Sequence, residues 1–518
     1  MKLTPADIGI AEASFSSIAE EMGELLTRSA FSPNIKERRD HSCGLFDSNG
    51  NLVAQAAHIP VHLGAMPVAV KTVMEMSPFN IGDVVTLNDP YKGGNHLPDI
   101  TTVAPIFAND ALVAYAATRA HHADIGGMSP GSMPVATELY QEGLIIPPIK
   151  LVDAGEIQTA AWEIILRNSR SPEERAGDLR AQLAATNLGN DRLQALINRY
   201  ELTGINERFI AVLDHGERTI RSVISEIPDG IYEAEDQLEI DEGGTIRVRI
   251  QVLGSDIHFD FTGTDSSSEY TSLNAVPQVT QSACYYAVRC LAPQDSPTNE
   301  GCYRPVSFHL PENSLVNASA PRAVSAGNVE VSQRITDVIF GALAVAIPGK
   351  IPAASSGTMN NITIGGYDSR SGRPYAYYET LAGGAGGGPL RAGRSGVHTH
   401  MTNTMNTPAE ALALAYPFTI ERYELRKETG GAGQHYGGQG LAREYLFHDP
   451  ATVTIISERR SLAPWGLQGG SPGQPGCNIL VRKSGNREEL PARVTLQVEK
   501  GERIIIETPG GGGWGRME

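Results

Sequence analysis

Residues 83–124, DVVTLNDPYKGGNHLPDITTVAPIFANDALVAYAATRAHHAD, decide how the N-terminal part of this 518-residue chain folds. Three short runs, VVTL, TTVAPIF and ALVAYAAT, are rich in β-branched and small apolar residues and are separated by clusters of Asn, Asp, Pro and Gly. That is the pattern of strands joined by turns. Two polar clusters punctuate it, NDPYKGGNHLPD at 88–99 and RAHHAD at 119–124, and both are expected at strand ends or in loops, where chemistry usually lives. His96 and Asp99 are three apart, but Pro98 lies between them and Gly93 and Gly94 precede them. A regular helix is therefore excluded and a tightly turned loop must present both side chains. In an extended RAHHAD the adjacent His121 and His122 point in opposite directions, so only one can face a given site.

Upstream, Thr4, Pro5 and Asp7 read as a helix start. Phe15, Ile18, Met22, Leu25 and Leu26 then recur at helical spacing to about residue 29. The stretch SCGLFDSNGNLVAQ, two apolar runs around Asp47-Ser48-Asn49-Gly50, reads as a β-hairpin. Downstream, residues 172–227 carry apolar residues every three or four positions in two arms, the pattern of a helical hairpin. Beyond Gly230, IYEAEDQLEI, TIRVRIQVL and DIHFDFTG alternate with period two, the pattern of antiparallel strands. A helix is expected over about 329–346, and the strands ATVTIIS, CNILVRK and ERIIIET close the chain. The expected fold is mixed, multi-domain α+β, with antiparallel sheets and a helical segment. Its regions are 1–170 (N-terminal, with the metal-site candidates), 171–228 (helical), 229–328 (antiparallel β) and 329–518 (α+β with Gly-rich loops).

Counting 42 basic against 59 acidic residues gives a net charge of −17 with no basic run, which argues against nucleic acid as a partner. No apolar segment has the length of a signal peptide or a membrane span, so the chain reads as soluble and cytoplasmic, with no membrane partner. The five cysteines, Cys43, Cys284, Cys290, Cys302 and Cys477, lack the spacing of a thiolate metal site and read as reduced, mostly buried thiols.

Histidine is where the composition becomes uneven. Six of the thirteen histidines, His41, His58, His62, His96, His121 and His122, fall between positions 41 and 122, where even scattering would place about two. Glu37, Asp40, Asp89, Asp99 and Asp124 accompany them. Any one of these histidines is more simply read as a satisfied polar residue in a turn. As a set with interleaved acids, they point to a metal or acid/base site, and imidazole with carboxylate suits zinc, manganese or iron. The run GGAGGG at 383–388 lacks the Gly-Lys-Ser/Thr ending of a phosphate loop and the strand that precedes a dinucleotide fingerprint. No Gly-x-Ser-x-Gly elbow occurs. HTHMTNTMNTPAE at 398–410 reads mainly as turn and capping chemistry ahead of a helix.

Taken in order, SPNIKERRDHSCGLFDSNGNLVAQAAHIPVHLGAMP, LNDPYKGGNHLPDITTVAPIF, HHADIGGMSPGSM, YQEGLIIPPIKL, GDLRAQLAA, SAGNVEVSQRITDVIFGALA, HMTNTMNTPAE and PWGLQGGSPG resemble the hydantoinase B / 5-oxoprolinase family, from about residue 3 to 515. The resemblance implies a beta-type subunit of an ATP-dependent amidohydrolase that opens cyclic amides such as hydantoins, 5-oxoproline or lactams. Its implied partner is a hydantoinase A-type, ATP-binding subunit that phosphorylates the substrate oxygen, in an α2β2 or larger hetero-oligomer. Carried over by motif, the implied metal ligands are Asp40, His96, Asp99 and His121, for zinc, manganese or iron. Four protein ligands would close a tetrahedral zinc shell, so room for water requires five or six places or one loosened ligand. His122, Asp124 and Glu37 are the candidates to accept the proton of the attacking water. One departure is AGGAGGGPL at 382–390, where many relatives carry a Gly-Trp-Gly variant. The resemblance leaves an alternative, a subunit of an ATP-dependent acetone or acetophenone carboxylase. A non-catalytic scaffold is the third reading.

Overall fold

The computed structural model describes residues 3–56 and 59–517, and the fold is mixed α+β with four sheets. Helix α1 (Pro5–Ser29) begins in a capping box, with the Thr4 hydroxyl accepting the Asp7 N–H and the Asp7 carboxylate accepting the Thr4 N–H. Its face of Ala11, Phe15, Ile18, Met22 and Leu26 is buried. That face packs with α5 (Pro172–Ile224) against the N-terminal sheet. Helix α5 is two helical arms joined at Glu201, whose φ of 59° breaks the run. Shorter helices α2 (Pro33–Lys36), α3 (Ala65–Met74) and α4 (Thr159–Arg167) connect the strands.

The N-terminal sheet holds β1 (His41–Asp47), β2 (Leu52–Gln55), β3 (Val84–Leu87), β4 (Asp99–Ala108), β5 (Ala111–His121), β6 (Ile149–Asp153) and β7 (Glu156–Ile157), in the order β2-β1-β5-β4-β3-β6-β7. Every neighbouring pair in it is antiparallel. The β1–β2 turn forms where Asp47-Ser48-Asn49-Gly50 places it, with the Asp47 carboxylate accepting the Asn49 and Asn51 N–H groups at 2.9 Å. Strand register matters most for function: Asp99, the first residue of β4, is paired directly with His121, the last of β5. The β1 partner of Ala120 is His41, so Asp40 lies beside the same strand ends.

Strands β8 (Gly230–Gln237), β9 (Thr245–Leu253), β10 (Asp256–Asp260) and β11 (Val306–His309) form a second sheet in the order β11-β10-β9-β8, in which only β10 and β11 run parallel. Ile246, Val248, Ile250 and Val252 of β9 are buried while Arg247, Arg249 and Gln251 are exposed, the alternation of a one-sided sheet. Its buried face meets α7 (Ser332–Ala346), which packs on α6 (Pro277–Leu291) and follows a π-helical turn at Gly327–Val331.

Two further sheets make the C-terminal part. One holds β12 (Asn361–Asp368), β13 (Arg373–Thr380), β16 (Ala451–Ile456) and β19 (Arg493–Val498). The other holds β14 (Phe418–Leu425), β15 (Leu441–Phe447), β17 (Cys477–Val481), β18 (Arg487–Leu490) and β20 (Arg503–Glu507), and short α8 (Ala409–Ala415) leads into β14. Ile362, Ile364 and Tyr377 meet Phe418, Tyr445 and Ile504 in the core between the two sheets. A separate, larger core takes side chains from Phe46 to Ile456, so all four sequence regions contribute to it.

The glycine-rich loops lock together through their backbones. Gly438 N–H donates to Ala385 O at 2.8 Å, Gly511 N–H to Gly438 O at 2.9 Å, Gly431 N–H to Gly511 O at 2.8 Å and Gly387 N–H to Gly512 O at 2.8 Å. These amides already have carbonyl partners, so they cannot cradle a phosphate. None of the five cysteines is in a disulfide, and burial pushes the Cys43 thiol up, which removes it as a nucleophile. Among the described residues, no helix is long and apolar enough to cross a membrane.

Candidate metal centre

Antiparallel pairing brings the ends of β1, β4 and β5 side by side, and the site grows from that corner of the sheet. Asp99 and His121 face each other across the β4–β5 ladder, with His121 Nδ1 3.5 Å from Asp99 Oδ1. His96 arrives from the loop before β4. Asp89 caps that loop by accepting the Tyr91 N–H at 2.9 Å, Gly93 turns it at φ 100°, and the Asp99 N–H closes it on His96 O at 3.2 Å. His96 Nε2 then lies 3.3 Å from Asp99 Oδ2. Donor atoms of His96, Asp99 and His121 all fall within 4.8 Å of one another, and all three residues are buried. Asp40 adds its carboxylate at the margin, 4.0 Å from His121 Nδ1.

Both ring nitrogens of His96, and Nε2 of His121, are buried without a hydrogen-bond partner. Orphaned imidazole nitrogens are costly in a protein interior, and two imidazoles converging on a carboxylate fit a divalent cation with mixed nitrogen and oxygen preference. Burial alone would raise the Asp99 carboxyl, but the charges of His96 and His62 and the hydrogen bonds of His121 and His62 hold it well below the usual range. Burial lowers His121 despite Asp99 and Asp40. Both groups are thus held in the forms that ligate, carboxylate and neutral imidazole.

Sequence reasoning does not single out His62. It sits in a 3₁₀ turn after β2, its Nε2 3.3 Å from Asp99 Oδ2 and its Nδ1 2.9 Å from the Ser42 hydroxyl. No acid stands beside it in the sequence, and its carboxylate partner lies 37 residues away. Its one sequence signal is membership of the crowded histidines. His58 lies outside the described residues.

The C-terminal half supplies the roof. The Tyr378 ring stacks on His121 at 4.4 Å, and the Arg38 guanidinium lies 4.7 Å from the centre of the same tyrosine ring. Thr380, Thr402 and Thr404 line the same cavity as Asp40, His62, Asp99 and His121. Part of the 398–410 segment, read from sequence as turn chemistry, therefore faces the site.

The three residues expected to move protons are not gathered there. His122 points to the opposite face, as the extended segment requires, and its Nε2 meets Gln182 Oε1 at 2.8 Å. Burial, helped by Arg175, pushes it down to about 3. Asp124 accepts N–H groups from Gly126, Gly131 and Arg170 and pairs with the Arg170 guanidinium at 2.9 Å, so it organises the loop after β5. Glu37 is the partly exposed C-cap of α2, with no ion pair to the cluster among the described residues. Strand alternation and local capping thus engage these three side chains away from the His96–Asp99–His121 cluster.

A family model described as Hydantoinase B/oxoprolinase matches residues 4–517. An uncharacterized protein of Methanocaldococcus jannaschii is 43% identical over 98% of this chain and 90% of its own length. 5-oxoprolinase 1 of Arabidopsis thaliana is 39% identical over 97% of this chain, which spans only 41% of that protein. The putative B-type subunit of a D-/L-hydantoinase from a Pseudomonas species is 30% identical, with 99% of this chain and 90% of that protein covered. Among solved structures, the ATP-dependent caprolactamase from Pseudomonas jessenii superposes with a TM-score of 0.93 at 27% identity, covering 100% of this chain and 92% of that one.

Proposed function

Because this chain belongs to the hydantoinase B/oxoprolinase family, we propose that it is the ring-opening subunit of an ATP-dependent cyclic-amide hydrolase. In this reading an ATP-binding, hydantoinase A-type partner phosphorylates the amide oxygen, and this chain carries out the hydrolysis in a hetero-oligomer. The observation that carries the reading is the convergence of His96, Asp99 and His121 on one buried point. The names of the hydantoinase and caprolactamase relatives support the substrate class. The hydantoinase relative is named as one subunit of its enzyme, which supports a second chain.

His96, Asp99 and His121 would hold the ion, with Asp40 within reach as a fourth ligand. A divalent cation there supplies Lewis-acid chemistry, acidifying water and stabilising developing negative charge. The chain's own residues do the rest. His62 lines the cavity wall. With its Nδ1–H donating to Ser42 Oγ and Asp99 turned to the ion, its Nε2 would take the proton of the attacking water and return it to the departing ring nitrogen, in the place of His122, Asp124 and Glu37. Tyr378 holds the His121 ring by stacking on it, and its hydroxyl is anchored on Asn361 Oδ1 at 2.8 Å. The buried walls keep bulk water from the activated substrate.

The test is to purify the chain with its partner and to measure bound metal and ATP-dependent opening of a panel of hydantoins and lactams. His96→Ala is expected to lose metal and ring opening while ATP-dependent phosphorylation survives. His62→Gln is expected to keep metal and lose about 10²-fold or more in turnover. Full metal content and turnover in His96→Ala would sink the assignment. Incorporation of labelled bicarbonate would instead mark a carboxylase.

A further inference from the structure

Arg38 is fully buried, and its surroundings differ from those of most other buried arginines. Arg175, Arg334, Arg443 and Arg459 each lie within 3.4 Å of a carboxylate, and Arg119 spends its guanidinium on Thr101, Asn95 and two backbone carbonyls. The nearest carboxylate to Arg38 is that of Asp40, at 3.8 Å and without a hydrogen bond. Its donors go to neutral acceptors: Asn34 Oδ1, Tyr378 O, Thr380 Oγ1 at 2.9 Å and Thr404 Oγ1 at 3.4 Å. A buried cation whose carboxylate stands off without a hydrogen bond is only partly neutralised, and a further anion would complete its neutralisation. Asp40 is also within reach of the proposed ion, and a carboxylate engaged there is lost to Arg38.

The threonines carry this charge to the cavity. Thr380 and Thr404 hydroxyls are 2.9 Å apart, and those of Thr402 and Thr404 are 3.4 Å apart. Three hydroxyl hydrogens serve two such contacts, so one O–H donor remains for a ligand. Acceptance from a guanidinium polarises the hydroxyl chain and strengthens that donor. All three threonines line the cavity that holds Asp40, His62, Asp99 and His121.

We propose that Arg38 with Thr380, Thr402 and Thr404 forms a subsite for a tetrahedral oxyanion, namely the phosphoryl group carried by the activated substrate or released as inorganic phosphate. This inference rests on the function proposed above. It explains why the 398–410 segment, with no catalytic motif of its own, is docked on Arg38 through the Met405 N–H to Arg38 O bond at 3.0 Å. The subsite needs the ion. Without a cation, a phosphate dianion meets the Asp40 and Asp99 carboxylates against one guanidinium, whereas a bound divalent cation reverses the local sign. It also needs room. The cavity is about 20 Å³, space for about one water molecule, so phosphate binding displaces Met359 and Met401, flexible side chains on its wall.

Inorganic phosphate is titrated calorimetrically into the full chain, metal-loaded and metal-stripped. Wild type is expected to bind only when loaded. Thr402→Val and Thr404→Val, which keep shape, and Arg38→Lys are expected to weaken phosphate by about tenfold or more with metal content retained. Equal phosphate affinity in metal-retaining variants, equal binding by the stripped chain, or no binding by loaded wild type overturns the subsite. In the complex with the partner, a matching rise in KM for the cyclic amide assigns the subsite to the substrate's phosphoryl group. A rise only in the phosphate inhibition constant assigns it to the released product. If wild-type complex opens no ring, the function fails, while the titration still decides the anion site.

Discussion

Asp99 touches His62, His96 and His121 at 3.3–3.5 Å, and each contact has a different origin. The His96 contact is local, made by Pro98 and the glycine pair turning the loop, and it is legible in NDPYKGGNHLPD. The His121 contact needs the β4–β5 register, which RAHHAD constrains only to the choice of one imidazole over the other. The His62 contact joins a turn to a strand end 37 residues away, and the crowding of histidines is its one trace in the sequence. Glu330, in the π-helical turn, is a further case. Burial pushes it up to about 8, although Oε1 accepts from the Met359 N–H and from Asn361 Nδ2, while Oε2 has no partner. Between the unfolded carboxyl's ordinary value and about 8 the native state holds a proton that the unfolded state has lost, so stability falls as pH rises through that window. The slope is at most about 1.4 kcal/mol per pH unit. Glu330→Gln cannot titrate and is expected to flatten the slope, read from urea unfolding at pH 5, 6, 7 and 8. An unchanged slope would show that Glu330 ionises in the folded protein as it does in water.

Helices and strands follow the local signals closely, as the Thr4–Asp7 capping box, the Asp47–Gly50 hairpin and the alternating burial of β9 show. The glycine-rich loops do not. Their composition announces close backbone approach, but which loops meet depends on contacts among residues 353–354, 383–394, 429–440, 465–474 and 508–515. A Cβ on Gly511 would stand 2.1 Å from Ala385 O, whereas one on Gly349 would meet nothing within 4 Å. Gly511→Ala is therefore expected to cost about 3 kcal/mol or more, since backbone rather than a movable side chain must give way. Gly349→Ala should stay within about 0.5 kcal/mol. Denaturant midpoints of the two variants check the contrast, and equal midpoints would mean the loops part without cost.

Across the whole molecule, the site is a junction: the N-terminal sheet provides Asp99 and His121, Asp40 precedes its strand β1, and Thr380, Thr402 and Thr404 come from the C-terminal half. An ion that binds only this assembled junction stabilises the folded chain by about 2.7 kcal/mol at a hundredfold excess over its Kd. Thermal unfolding of wild type should shift down on chelation and recover with zinc or manganese, while Asp99→Asn should be indifferent to both. A wild-type Tm that ignores chelation would remove the ion from the fold's energetics. The sequence by itself determined the α+β class, the strand-and-turn order of the N-terminal sheet, the family, and the loop that aims His96 and Asp99 together. Each of these depends on neighbours along the chain or on a pattern of spacing. Tertiary structure alone set His62 against Asp99, stacked Tyr378 on His121 and brought Thr380, Thr402 and Thr404 to the cavity wall. Those contacts join residues tens to hundreds of positions apart, and pairing between strands and packing between sheets choose them rather than local preference.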